Sequence, residues 1–500
     1  MAFSIIQKPV NTADNVPVIT NWTPMTGYMF YQSDISTYFY YRIVCTVKQV
    51  DTAGNVLKTL GVLKQRRNGY SSDNNGATQR ARAFFDLAGI VNSQLVDTVY
   101  DQNDTGIPFR TLHKLGENTD DKIFCYNGDT SQGFLQIISI EVTGSEWYSD
   151  SATAMPESQG SSADDTLIWL GASLPLMTAR DDDGDYIQGT AFQSYTNSSG
   201  TNFFLSDCPI QPNNFSFFGS SVPIRVNFVR ENDYHTIGFL NDQSSFASRV
   251  EWLRIIYYDN DGVIGTYYID NNTTNGGMRS NDVNLEDTNR LLYFGCGPGN
   301  LEGAENVDSY DAISGGTATT GGARPSLQTD WVAYQVAPFN DSGIPEGLPA
   351  YFIKQGGSCK GFKVRRLAFV NSFGCWDYFN FRKKSTQTID VTRNNYSTML
   401  GTFNKSKWRY DNTQRGNTTR QTTAILKETL NTDWITEEAA TLIEKLIYSK
   451  NVQIVENTQT EFTQGVIVTD SSFIRKTKAN DRLIQYTITI EYANPINTNS

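Results

Sequence analysis

The amino-acid sequence predicts a mainly β protein, with two tandem antiparallel β-sandwich-like domains followed by a small C-terminal α+β module. Three observations predict it. Aromatic residues make up 12% of the chain while charged residues stand at only 19%, and strands favour aromatic and β-branched side chains. Long runs of that type are broken by Asp/Asn/Gly clusters, which supply the φ > 0 positions of hairpin turns. Sustained helical spacing of apolar residues is convincing once, between 436 and 450. The length of 500 residues exceeds what one hydrophobic core ordinarily serves. The expected division is a β-sandwich domain over 1–147, a linker or long loop over 148–164, a second β-rich domain with long loops over 165–385, and an α+β module over 386–500.

The first domain contains a clear hairpin. Tyr38–Val50 is an aromatic and β-branched run, Asp51–Asn55 is the turn, and Val56–Leu63 is the return strand. Arg42, Thr46 and Lys48 interrupt the run, so one face is expected to meet solvent. Asp86, after Phe84 and Phe85, is placed to cap a short helix over Leu87–Leu95. Gly133–Trp147 reads as a further strand, and the small, polar residues 148–163 read as the linker.

The second domain is built on another hairpin: Val250–Tyr258, the turn Asp259–Gly262, and Val263–Ile269. Both hairpins put an Arg-Ile pair (Arg42-Ile43 and Arg254-Ile255) in the first strand and open the return strand with Val. A duplicated sandwich and a chance likeness are both open at this point. Residues 303–326, rich in Gly, Ser, Thr and Ala, read as an exposed loop that a neighbour would order.

The C-terminal module carries the helix. Thr436 is the expected N-cap, Glu437 and Glu438 follow it, and Ala439, Leu442, Ile443, Leu446 and Ile447 recur at helical spacing. Strands are expected at Val452–Val455, Gly465–Thr469 and Leu483–Tyr492. In the last, Ile484, Tyr486, Ile488 and Ile490 alternate with polar residues.

Charge and chemistry narrow the function. The formal charge is −12, from 53 acidic and 41 basic residues, so nucleic acid is not expected as a partner. The chain has no 18-residue apolar run for a membrane-spanning helix. Its start, MAFSIIQKPV, lacks the features of a signal peptide, so synthesis in a cytosol is expected. The six cysteines (Cys45, Cys125, Cys208, Cys296, Cys359 and Cys375) form no C-x-x-C pair and are expected as buried free thiols, with zinc or disulfides as the alternative.

No catalytic residue, cofactor or metal is expected. Only two histidines occur, His113 and His235, each far in sequence from a second His or Cys, and both read as structural. G-x-S-x-G, H-E-x-x-H and Walker A motifs are absent from the sequence. Asp181, Asp182, Asp183 and Asp185 surround Gly184, but counting from Asp181 the twelfth residue is Phe192, which fails the EF-hand pattern. A solvated acidic turn is expected there, with an irregular Ca²⁺ site as the alternative. A basic cluster (Lys363, Arg365, Arg366, Arg382, Lys383 and Lys384) interleaves with aromatics. A subunit interface or a solvated strand edge is preferred over a nucleic-acid face, with Trp376, Tyr378, Phe379, Phe381, Lys383 and Lys384 as the interface candidates.

Phe362–Val391 carries one further signal. A strand ends in Phe369, Asn371, Phe373 and Gly374, then Trp376, Asp377, Tyr378, Phe379 and Phe381 follow, leading to a Thr-rich strand. This pattern resembles virion structural proteins of tailed bacteriophages. The ending is similar to theirs as well: a helix, then Asn451–Ile454, then Asp470–Phe473, then a strand closing in Glu491-Tyr492-Ala493. The resemblance implies a non-enzymatic particle component of tail, neck or capsid surface, made in the host cytoplasm. Its partners would be other copies of itself and other virion proteins. A carbohydrate-binding adhesin or receptor-binding fibre, meeting a host glycan, is the alternative. A glycan-cleaving enzyme is the third reading.

Overall fold

The computed structural model describes residues 3–9, 18–19, 27–51, 54–66, 80–95, 112–116, 122–126, 137–171, 203–211, 214, 218, 224–241, 250–272, 275–277, 291–303, 330–340, 342–356, 361–413, 415–455, 463–470, 472–474, 484–494 and 496. It is mainly β, with several antiparallel sheets. The chain divides into two compact units, the first comprising residues 1–355 and 370–377, the second 356–369 and 378–500. Among the described residues no helix is long and apolar enough to cross a membrane.

The first unit begins with a sandwich of β1 (Ser4–Gln7), β2 (Val18–Ile19), β3 (Gly27–Gln32), β4 (Phe39–Val50), β5 (Val56–Arg66), β6 (Ala81–Asp86), a short helix α1 (Ala88–Asn92), β8 (Ile137–Ser149) and β9 (Glu157–Leu170); β7 (Phe124–Tyr126) precedes β8 in sequence but belongs to another sheet. The expected hairpin is β4–β5, closed by Asp51, whose Oδ1 accepts from the Asn55 amide at 2.7 Å. Tyr41, Ile43, Cys45 and Val47 alternate into the core with Phe30, Ile140, Val142 and Trp169. Arg42, Thr46 and Lys48, on the opposite face, stay partly solvated. Asp86 accepts from the Ala88 amide at 3.0 Å, but Leu87 occupies the N-cap position, one residue later than expected.

The segment 148–164 is not a linker. β8 and β9 form a long antiparallel hairpin, turning at residues 150–156, with Tyr148 opposite Glu157 and Ile137 opposite Leu170. Glu157, Ser158 and Ser162 are exposed and the sequence from Glu157 to Thr166 is polar apart from Gly160 and Ala163, so the apolar alternation that marks a strand is missing there.

A second sandwich follows: β10 (Phe203–Phe204), β11 (Ile210–Gln211), β12 (Ile224–Val229), β13 (Thr236–Leu240), β14 (Trp252–Tyr258), β15 (Val263–Asp270), β16 (Leu291–Gly295), α2 (Pro298–Gly303), β17 (Ala333–Phe339) and β18 (Ala350–Lys354). Its topology is that of the first. The large sheets run β2-β9-β8-β4-β5 and β12-β18-β17-β14-β15, the latter extended by β11. In each, the first pair is parallel and the rest are antiparallel. The small sheets correspond as β1-β3-β6 and β10-β13-β16, antiparallel throughout, and a short helix follows the last strand of each triplet. The two hairpins occupy equivalent places, with Ile43 and Ile255 each in its own core. The likeness in sequence therefore reflects one fold used twice, with β7 added beside β16 in the second.

The second unit is a seven-stranded sheet in the order β20-β19-β25-β26-β27-β24-β21. Its strands are β19 (Arg365–Val370), β20 (Trp376–Phe381), β21 (Thr386–Ser397), β24 (Asn417–Asn431), β25 (Val452–Ile454), β26 (Gln464–Val468) and β27 (Thr487–Tyr492), while β22 (Thr402–Asn404) and β23 (Lys407–Arg409) form a separate small hairpin. The expected helix is α3 (Glu437–Ile447), whose N-cap Thr436 accepts from the Ala439 amide at 3.2 Å. Leu442, Ile443 and Leu446 pack with Ile488 and Ile490 of the last strand and with Ile484 and Tyr486 just before it, since the strand expected from Leu483 begins at Thr487. Such full burial contributes about 1.5–3 kcal/mol per large aliphatic side chain. The sheet includes β19, paired to β25 through Leu367 and Ile454, so this module begins before residue 386. That pairing spans nearly ninety residues and leaves no local trace in sequence.

Candidate functional site

The motif Asn371–Asp377 folds as a tight turn assigned to the first unit, and its residue types follow from its geometry. Asn371 Oδ1 accepts from the amides of Phe373 and Cys375, both at 3.0 Å, while Gly374 takes φ 77°. An Asx side chain closes such a loop by accepting from backbone amides a few residues on, and glycine takes the left-handed position without a Cβ penalty. Asp377 is almost fully buried and accepts from Ser206 Oγ at 2.6 Å, the Asp207 amide at 2.7 Å and Asn371 Nδ2 at 3.2 Å. Asp207 in turn accepts from the Ser372 amide at 2.6 Å. Burial, then the neighbouring Asp207 carboxylate, pushes the Asp377 carboxyl up to about 7. A carboxyl so enclosed and so fully hydrogen-bonded clamps the turn to the 206–208 loop and offers no open acceptor to a substrate.

The interface candidates scatter. Trp376 is 3% exposed and meets the edge of His113 at 4.7 Å. Tyr378 lies under the Arg366 guanidinium at 4.8 Å, and Phe381 is in the core of the second unit. These three aromatics are interior rather than surface residues, because β20 is covered on both faces. Phe379 is half-buried against the same core. Lys383 pairs with Asp433 at 2.9 Å, and Lys384 is exposed. Both lysines line a shallow cavity of about 220 Å³ with Asn431, Thr432 and Tyr486.

The basic cluster is likewise not one surface. Arg365 and Arg366 are buried, and Arg365 Nε reaches Glu428 Oε1 at 2.9 Å. Glu428 Oε2 accepts from Gln387 and the Tyr492 hydroxyl. Burial would raise the Glu428 carboxyl, but the Arg365, Ser385, Gln387 and Tyr492 hydrogen bonds outweigh it and hold the group below its usual range.

The exposed surface lies elsewhere, in a ribbon the sequence reading did not single out. Every residue of β21 is exposed. Among the described residues β24 meets β27 over Lys427–Asn431, while Asn417–Leu426 pairs with β21 and makes one further bridge, Ala424 to Ile496. The two-stranded part spans about 30 Å at roughly 3.3 Å per residue. Its tip is the β22–β23 hairpin, turning at Lys405 with φ 58°. Phe403 is 73% exposed and contacts the Trp408 ring edge-on at 5.4 Å. The Trp408 indole lies against Gly401, where φ is +95° and a Cβ would approach Nε1 to 2.5 Å. Met399, Leu400 and Tyr410 are exposed beside them, and Arg393, Lys405, Lys407, Arg409 and Arg415 supply charge. A strand with no apolar stripe, such as Thr386–Ser397, was the available signal.

Among the described residues no group of three or more His, Cys, Asp or Glu side chains could hold a metal ion. Asp181–Asp185, residues 304–326 of the expected loop and Cys359 lie outside the described residues, while Gly303 closes α2. The other five cysteines are buried, and burial pushes Cys45 and Cys375 up to about 12. His235 is buried edge-on to Phe352 at 4.9 Å. Asp259 Oδ1 accepts from the amides of Asp261 and Gly262, which makes its loop a hairpin turn.

No protein-family model matches the chain, and no curated protein sequence matches it.

Proposed function

We propose that this chain is a non-enzymatic building block that assembles through subunit–subunit contacts. The observation that carries the reading is the β21–β24 ribbon. Two-stranded hairpins are marginal at best in water, and this one holds Ile389, Val391, Tyr396, Phe403 and Trp408 at the surface. A ribbon of that composition gains most by burial against a neighbour, and exposed apolar area of this kind marks interaction sites. The repeated sandwich of the first unit supplies two folded modules in the same chain.

The particular assembly we propose is the virion of a tailed bacteriophage, in its tail, neck or capsid surface, reached after synthesis in the host cytoplasm. The support is the resemblance of Phe362–Val391 and of the C-terminal strands to such proteins. Disrupting the gene in the source phage tests this. Incomplete particles by electron microscopy are expected. Complete particles that fail to adsorb would instead favour the receptor-binding alternative and its host glycan. Complete, infective particles would overturn both.

A further inference from the structure

The two compact units carry opposite charge. Residues 356–369 and 378–500 hold 20 basic and 12 acidic side chains, while 1–355 with 370–377 hold 21 and 41, so the formal charges are +8 and −20. Residues 393–420 alone hold six cations (Arg393, Lys405, Lys407, Arg409, Arg415 and Arg420) against Asp411, a charge of +5. The most exposed aromatic tip of the molecule's described surface thus sits on a basic arm, in a chain whose larger part is strongly acidic.

We propose that the β21–β24 ribbon docks on the acidic first unit of a second copy of this chain, a head-to-tail contact that rests on the assembly reading and names its partner. Opposite fields steer such an encounter and fix its direction, since ribbon against ribbon and acidic unit against acidic unit both repel. Apolar burial supplies affinity. Met399, Leu400, Phe403 and Tyr410 are 79%, 45%, 73% and 67% exposed, and the first unit carries matching exposed apolar residues such as Leu57 at 62%, Val263 at 60% and Ile344 at 56%. Nucleic acid fits less well: the ribbon's aliphatic side chains would gain little against phosphates, and the chain as a whole repels a polyanion. A contact between two different patches closes into a ring or propagates as a filament.

The test uses the full-length chain, mixed from ¹⁴N- and ¹⁵N-labelled preparations and joined by a zero-length carbodiimide that links lysine amines to carboxylates. Cross-links from Lys405 or Lys407 of one isotopic copy to Asp or Glu within 1–355 of the other are expected, falling severalfold when salt shortens the Debye length from about 10 Å to about 3 Å. Sedimentation of the Lys405→Glu/Lys407→Glu/Arg409→Glu variant, and separately of Phe403→Ser/Trp408→Ser, is expected to show self-association at least tenfold weaker with an unchanged circular dichroism spectrum. A wild-type monomer at micromolar concentration, cross-links confined to one isotopic copy, or duplex DNA binding lost in the charge-reversed variant would each overturn the proposal. Cross-links between copies of a chain missing from virions would leave this contact standing and remove the virion reading. A chain present in virions without such cross-links would do the reverse.

Discussion

Glu428 shows no solvent exposure, yet its carboxylate stays charged because Arg365, Gln387 and Tyr492 surround it with donors. Glu428→Ala leaves the Arg365 guanidinium buried without its counter-ion, so urea unfolding at neutral pH should show a loss of about 3–5 kcal/mol. Since this carboxyl is held below its unfolded value, its stabilisation is present above about pH 4.3 and is lost as pH falls through the folded value. Asp377 has the opposite sign. Its folded value is raised, to about 7, so the fold favours the protonated form and its contribution declines as pH rises from about 4 to about 7. Wild type should therefore lose more stability between pH 5 and pH 8 than Asp377→Asn does. Parallel profiles for the two proteins would contradict the burial argument. At this scale the sequence was partly legible. Asn371 and Gly374 stood out as a motif, but only the structure gives them their work: closing a turn that seats Asp377 beside Ser206 and Asp207, more than 160 residues away in sequence.

At the scale of elements, local patterns were legible wherever one side of an element is buried and the other solvated. The β4–β5 and β14–β15 hairpins, helix α3 and the alternating strand after Ile484 all have that character. Removing the N-cap by Thr436→Ala should cost about 1 kcal/mol. Ile443→Ala, at a fully buried position, should cost about 2–5 kcal/mol in the same urea titration. The pattern fails where both faces share one environment. β9 begins polar on both faces and reads as a linker, whereas β20 is aromatic-rich and buried on both faces and reads as a sticky surface. β21 is exposed on both, and it reads as a Thr-rich strand with nothing to mark it as a surface ribbon. Limited proteolysis checks the last of these: cleavage within 398–416 is expected at low protein concentration and should be suppressed as the chain self-associates. Cleavage that is equally fast at every concentration would mean that the ribbon stays uncovered.

For the whole molecule, the repeated strand order of the two sandwiches and the charge opposition of the two compact units were hidden for different reasons. The repeat lies in which strands pair, and pairing over long separations is not written in local composition. The Arg-Ile hairpins were its one local trace. The charge opposition is present in the sequence but is masked by the total of −12 until the boundary near residue 356 is known. Together they describe a chain with an acidic unit of two like sandwiches and a basic unit that carries an exposed ribbon. The most direct measurement is the copy number of this chain in purified phage particles, by quantitative mass spectrometry against labelled peptides. Assembly into the virion predicts a fixed symmetric stoichiometry, such as a multiple of five, six or twelve copies, while absence from intact particles would contradict it.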